Sequence, residues 1–306
     1  MAMSKKKRIP RTTIFIACEG SNTEPIYFER IKEKVEDSNL LAITIYPDQS
    51  EENPKTHALG LVEVARNRID DFDEVWAVFD KNGYTKHEEA FALANRKING
   101  KKVNIAFSSI AFEHWVLLHF EKNNTAYEKS KHIEDNKFKT NETYYPDYSK
   151  RATVDIYPML QSRTKTAIQN ASWLRFRQKN ELETKPIYEI NPYTDVDVLV
   201  RRLLDIEEVI EWSGIGERLD FKKVQVMLNL ENNDLRAEIY NCHSALLISI
   251  QLAFSTIHSD ATEIQLQVEQ QRIEANQALA IILCQRAEDV CLIKVVFEAK
   301  TYFVEL

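Results

Sequence analysis

Glycine and proline are scarce in this chain, 6 and 8 residues among 306, which excludes extensive low-complexity sequence. Cysteine is nearly as rare. Cys18, Cys242, Cys284 and Cys291 show no CxxC spacing, and three of them sit in apolar runs (IFIAC, AIILC, VCLI). A zinc site is therefore not expected, and the thiols are expected to be reduced and buried. A basic excess is also missing. Lys and Arg total 40 against 47 Asp and Glu, a formal net charge of −7, so any surface for phosphate must be a local patch. The longest apolar run, ALLISIQLAF at 245–254, is broken by Ser249 and Gln251. It falls short of the roughly 18–20 residues a membrane helix needs. No GxxxxGK[ST] occurs, so the chain is not itself a P-loop ATPase. The basic MAMSKKKRIPR passes directly into strand-like TTIFIA without the apolar core and cleavage site of a signal peptide. The expectation is a cytoplasmic protein with no membrane association.

Against these absences stands a regular alternation. TTIFIACEG (12–20), LAITIYPD (41–48), EVWAVFDKNG (74–83) and VNIAFSS (103–109) read as strands, being short, β-branched and bounded by turn residues. Between and after them, 23–37, 57–69, 87–98 and 112–121 carry apolar residues at helical spacing. This βαβα order predicts an α/β fold with a mostly parallel sheet flanked by helices. The segment 122–185 is polar, with a predicted helix at 163–178, and 194–214 predicts a further helix with Thr194 as its N-cap and Gly214 at its end. From Phe221 onward, short β-rich runs alternate with NND, HSD and AED turns. The predicted organisation is a domain over 9–215, then a small, mainly antiparallel β-domain over 218–306, expected to serve docking or oligomerisation.

In an open α/β sheet, ligands collect beyond the carboxyl ends of the strands. Glu19 follows the first predicted strand, Asp80, Lys81 and Asn82 the third, and Ser108 and Ser109 the fourth, with Glu113 on the first turn of the next helix. Taken singly, each acid also suits a turn or a helix start. Together, three carboxylates from three segments converge on one edge and suit Mg²⁺ or Mn²⁺, which takes few carboxylates and keeps positions for water and phosphate. Lys81 is a candidate to offset charge on a phosphate. A second cluster, Arg151, Arg163, Lys165, Arg175, Arg177 and Lys179, faces a single acid, Asp155, over 151–179. With Trp173 among them, these side chains suit a phosphate backbone and a stacked base, whereas an ordinary solvated helix face would look the same. His119 falls on a different helix face from Glu113.

ACEGSNTEPIYFE, DEVWAVFDKNG and FSSIAFEHWVLLHFE, with AIQNASWL and INPYTDVDVLVRRLL further on, resemble successive blocks of the RloB-like family. The resemblance covers about 9–205 and leaves the β-rich tail uncovered. It implies a Toprim-like core, shared with topoisomerases, primases and OLD-type nucleases, in which a Glu after the first strand and a DxD after a later one hold Mg²⁺. By that resemblance Glu19 is the Toprim glutamate, a metal ligand or general base, and Asp80 is the first Asp of DxD. The third position of the motif is Asn82, which offers an amide oxygen without charge. Glu113 then stands as the replacement carboxylate. The resemblance further implies a nuclease of antiphage defence acting on RNA (tRNA included) or DNA and an AAA-type ATPase partner, while the β-edges of the uncovered tail suit self-association. Two alternatives stay open: a non-catalytic nucleic-acid or nucleotide-binding module, and a primase-like or nucleotide-hydrolysing enzyme.

Overall fold

A computed structural model of the chain describes residues 11–20, 22–36, 40–48, 55, 57–81, 86–144, 147–148, 155–241, 247–259, 262–273, 278–284, 287 and 290–306. It divides into two compact units, Met1–Ile206 and Glu207–Leu306.

The first unit is built on a five-stranded sheet in the order β2-β1-β3-β4-β5. β1 (Thr12–Cys18), β3 (Glu74–Asp80) and β4 (Asn104–Ser109) are buried along their last residues without alternation, as strands covered on both faces must be. β2 (Leu41–Tyr46) alternates buried with partly open positions, the pattern of an edge. These four strands are parallel, whereas β5 (Tyr193–Thr194) is antiparallel to β4. The expected mostly parallel sheet is therefore mixed. Side-chain bonds fasten this two-residue strand: the Ser108 and Thr194 hydroxyls pair at 2.9 Å, and Phe107 N donates to Asp195 Oδ1 at 2.6 Å.

Helices α1 (Thr23–Glu36), α2 (Ala58–Asn67), α3 (His87–Asn95) and α4 (Phe112–Leu118) follow the first four strands in turn. Short α5 (Ser130–Ile133) and α6 (Tyr157–Leu160) lead to α7 (Thr164–Arg177) and α8 (Lys179–Thr184), and α9 (Val196–Leu203) follows β5. One face of the sheet presents Phe15, Ala17, Val75, Ala77, Phe79 and Phe107 to Leu61, Val62 and Ala65 of α2 and to Ala90 and Ala94 of α3. The opposite parity, Ile14, Ile16, Trp76 and Val78, is buried as well.

The predicted helix over 194–214 divides. α9 ends at Leu203, Asp205 takes φ +53°, and Val209–Gly214 is a strand, β6. A left-handed aspartate stops the helix, and VIEW, rich in β-branched and aromatic residues, fits a strand better. Thr194 lies in β5 rather than at the N-cap, where Asp195 stands.

The second unit comprises β6, β7 (Arg218–Asp220), β8 (Val224–Glu231), β9 (Asp234–Asn241), β10 (Leu247–His258), β11 (Glu263–Ile273), β12 (Ala278–Cys284), β13 (Val290–Phe297) and β14 (Lys300–Glu305). They form two sheets, ordered β11-β10-β13-β14-β6 and β12-β9-β8-β7. Every pairing is antiparallel except β14 with β6. Asn232 and Asn233, both at positive φ (51° and 67°), make the two-residue turn of the β8–β9 hairpin, a conformation asparagine tolerates. Val224, Val226, Leu228, Leu235, Ala237 and Ile239 of one sheet share a core with Phe254, Ile293, Val295 and Val304 of the other. Only part of the cysteine expectation holds. Cys18 is buried and Cys284 partly so, but alternation along β13 turns Cys291 outward. Cys242 lies outside the described residues.

Phe107 is fully buried, its ring 5.7 Å from Phe79, 5.6 Å from Phe91, 5.8 Å from His87 and 6.3 Å from Tyr193. Phe107→Ala is expected to cost about 3–5 kcal/mol through the cavity it leaves. Urea unfolding measures this, and a loss under about 1 kcal/mol would contradict the packing described.

Candidate active site

The carboxyl edge of the first sheet is closed by backbone bonds that continue the ladder past the strand ends. Glu19 N donates to Val78 O (2.9 Å) and Lys81 N to Ser108 O (3.0 Å). Gly20 then turns the chain at φ +70°, a conformation glycine adopts without a Cβ penalty. Half-buried Glu19 folds back, its Oε2 accepting from Asp80 N at 3.0 Å. Asp80, only 3% exposed, closes β3, and its carbonyl accepts from His87 Nε2 at 3.1 Å. Glu19 and Asp80 are thus neighbours on adjacent strands. Lys81 is half-buried, with Nζ 3.4 Å from the Glu189 carbonyl. Asn82 lies outside the described residues.

Glu113 is fully buried in the first turn of α4 and accepts a 2.8 Å hydrogen bond from Tyr148 Oη. Burial first, then the Glu113 charge and this hydrogen bond, hold the Tyr148 hydroxyl well above the usual range, with Thr23 and Glu24 also beside it. Glu24 is itself 5% exposed. Its charge, after burial, helps raise the Cys18 thiol. By its position alone Glu24 is an ordinary acid in the first turn of a helix. Its place among the buried Pro25, Tyr27 and Phe28 of α1 is the signal that marks it as internal. The structure therefore joins Glu19 to Asp80 and ties Glu113 to Tyr148. Among the described residues, no three His, Cys, Asp or Glu side chains group closely enough to hold a metal ion.

The basic candidates separate by exposure. Arg163, Lys165 and Arg177 are exposed on α7 and the turn before it, Arg163 stacking 5.1 Å from the Phe120 ring centre. Lys122, from a different segment, sits 5.4 Å over the Trp173 ring. Arg151 lies outside the described residues. Arg175 departs from the expectation of a phosphate ligand. Its guanidinium grips both Asp197 oxygens (2.6 and 2.8 Å) and the Thr194 carbonyl (2.7 Å). Burial alone would lower its pKa, but the Asp197 carboxylate outweighs that and holds it above the usual range. Asn170 is a structural residue, donating at 2.8 Å to the Leu118 carbonyl at the end of α4, one of the acceptors a helix leaves open. His119 is buried beside Trp115.

The family model for RloB-like proteins matches residues 14–203. No curated protein matches the chain. Among solved structures, a DUF1425 family member from Shewanella sp. pv-4 is similar at 12% identity over 26% of this chain and 85% of its own, with a TM-score of 0.18. The Pseudomonas fluorescens alkylpurine DNA glycosylase AlkC, bound to DNA containing an abasic site analogue, is similar at 9% identity over 64% of this chain and 63% of its own, with a TM-score of 0.15. Scores this low carry no argument about fold or activity. Among the described residues, no helix is long and apolar enough to cross a membrane.

Two measurements follow from the β4–β5 junction. Asp197, 1% exposed, neutralises Arg175, whose side chain is 24% exposed, so Asp197→Ala is expected to lose about 1.5–3 kcal/mol by stranding a partly buried cation. A loss below about 1 kcal/mol in denaturant titration would refute that. Asp195 is pushed up to about 7, by burial first and by Asp197, against the pull of the Phe107 N–H and Arg175. The folded chain thus keeps a proton that the unfolded chain, with an ordinary value of about 3.9, has released. Stability from this group therefore falls as pH rises from about 4 to 7. Asp195→Asn keeps an oxygen for the Phe107 N–H and is expected to flatten that decline. Equal slopes in variant and wild type would contradict the assignment.

Proposed function

This chain belongs to the RloB-like family, whose model spans residues 14–203 of its 306, and from that premise we propose that its first unit is a Mg²⁺-dependent nuclease with a Toprim-like core. Its substrate is RNA, tRNA included, or DNA, and its setting is antiphage defence alongside an AAA-type ATPase. One observation carries the reading: Glu19 and Asp80 stand side by side at the carboxyl edge of adjacent parallel strands, with Glu19 Oε2 on Asp80 N at 3.0 Å. Two carboxylates at a strand edge fit a hard cation that takes one or two such ligands and keeps several waters.

Glu19 and Asp80 would hold Mg²⁺ or Mn²⁺, with Asn82 as a further oxygen donor. Bound there, the cation supplies Lewis acidity to a phosphoryl oxygen and lowers the pKa of a water. The chain's own part is orientation. The Asp80 N–H holds one Glu19 oxygen, and the ladder bonds of Glu19 and Lys81 fix the backbone beneath. Lys81, whose side chain makes a long contact to Glu189 O (3.4 Å) among the described residues, would turn toward a phosphate. Arg163, Lys165 and Arg177, exposed on one helical segment, suit a nucleic-acid backbone. The second unit is assigned to docking or self-association.

The bond from Tyr148 to Glu113 favours a second reading. A Glu113 committed to that buried partner leaves two acids at the edge, which would suffice for a binding module without catalysis.

Purified wild type and Glu19→Ala, each with labelled tRNA, single-stranded RNA or duplex DNA in Mg²⁺, Mn²⁺ or EDTA, separate the readings. Metal-dependent cleavage is expected to fall by about 100-fold or more in the variant. Binding undiminished in EDTA, with no cleavage even when the ATPase partner is added, would establish the binding module instead.

A further inference from the structure

Among the polar atoms of the first unit that are buried without a hydrogen-bond partner in the protein, four belong to neighbouring aromatic side chains: Tyr27 Oη, Trp115 Nε1, His119 Nε2 and Tyr157 Oη. Tyr27 lies on α1, Trp115 on α4, His119 just beyond α4, and Tyr157 opens α6. Tyr27, Trp115 and His119 are fully buried, and Tyr157 is 5% exposed. The Tyr27 ring centre is 5.5 Å from that of Tyr157 and 6.4 Å from that of His119, and the Trp115 and His119 ring centres are 4.8 Å apart. The Trp115 N–H and the Tyr27 hydroxyl face each other without closing a hydrogen bond. Stranding one such atom costs about 1–3 kcal/mol, and one partner shared by the four neighbouring side chains would relieve that cost.

The donors and acceptors identify it. His119 Nδ1 lies 3.0 Å from the Trp115 carbonyl. A carbonyl only accepts, so Nδ1 carries the hydrogen and Nε2 presents a bare lone pair. Burial pushes this imidazole down to about 4, and it is neutral near pH 7. The Trp115 indole can only donate, while each tyrosine hydroxyl serves either way. The partner must therefore accept from Trp115 and donate to His119, with one donor and one acceptor left for the two tyrosines. An anion would meet the imidazole lone pair, and a cation would meet the indole N–H. A tetrahedral molecule with two donors and two acceptors satisfies all four.

We propose that a single water molecule is an integral part of the first unit, bound by Tyr27, Trp115, His119 and Tyr157 and joining α1, α4 and α6. The inference is independent of the nuclease reading. It concerns how α4, which carries Glu113, is held.

A crystal structure of the full chain at a resolution that orders buried water tests it directly. One isolated oxygen is expected within about 2.7–3.2 Å of at least three of the four atoms. Direct hydrogen bonds among the four side chains, or no such oxygen, would overturn the proposal. In solution, Tyr27→Phe and Tyr157→Phe form a double-mutant cycle. Through a shared water their shifts in urea midpoint are expected to be non-additive, the double variant losing less than the sum. Additive shifts would count against a shared partner.

Discussion

A parallel ladder delivers the carboxyl end of every strand to one side of the sheet, and that constraint organises the first unit. The registers Cys18↔Val78 and Asp80↔Ser108 bring the first residue after β1 beside the last residues of β3, and these beside the end of β4. Glu19 reaches Asp80 because the ladder sets the two side by side. The antiparallel β5 is the exception, and it is held by side chains as much as by its short ladder. Asp195 on Phe107 N, Thr194 against Ser108, and Arg175 between Thr194 and Asp197 knit it to β4 and α7.

What was legible in the sequence follows from range. Four strands and the helices after them repeat a short-range hydrophobic period, so both their existence and the placement of Glu19 and Asp80 at one edge could be read directly. β5 is two residues long and has no period to read. The division of 194–214 was hidden because LVRRLL and VIEW are both apolar, and only the left-handed Asp205 between them marks the break. Arg175 reads as one cation in a basic run because the acid that claims it, Asp197, is 22 residues away. Asn170 and Leu118 are 52 apart. Such pairings are properties of the assembled fold and leave no local trace.

Buried charge in the first unit is divided by chemistry. Arg175 and Asp197 satisfy each other as an ion pair with hydrogen bonds to spare, so their burial rests on mutual neutralisation. Glu113 and Glu24 both lie beside the buried Tyr148 hydroxyl, which donates its hydrogen bond to Glu113. Glu19 and Asp80 stand instead where the ladder ends, Glu19 half-buried and held by the Asp80 N–H.

The pairing of β14 with β6 carries a consequence for how the second unit is made. In its sheet, β14 lies between β13 and β6, although β6 is the first strand of the unit to be synthesised and β14 the last of those described. On a ribosome, β6 emerges with its neighbour among the described strands still some ninety residues of translation away. Its VIEW segment must wait without a ladder until residues 300–305 arrive, and that closure has a high contact order. The hairpin β8–β9, complete within 18 residues (224–241), can form during that interval.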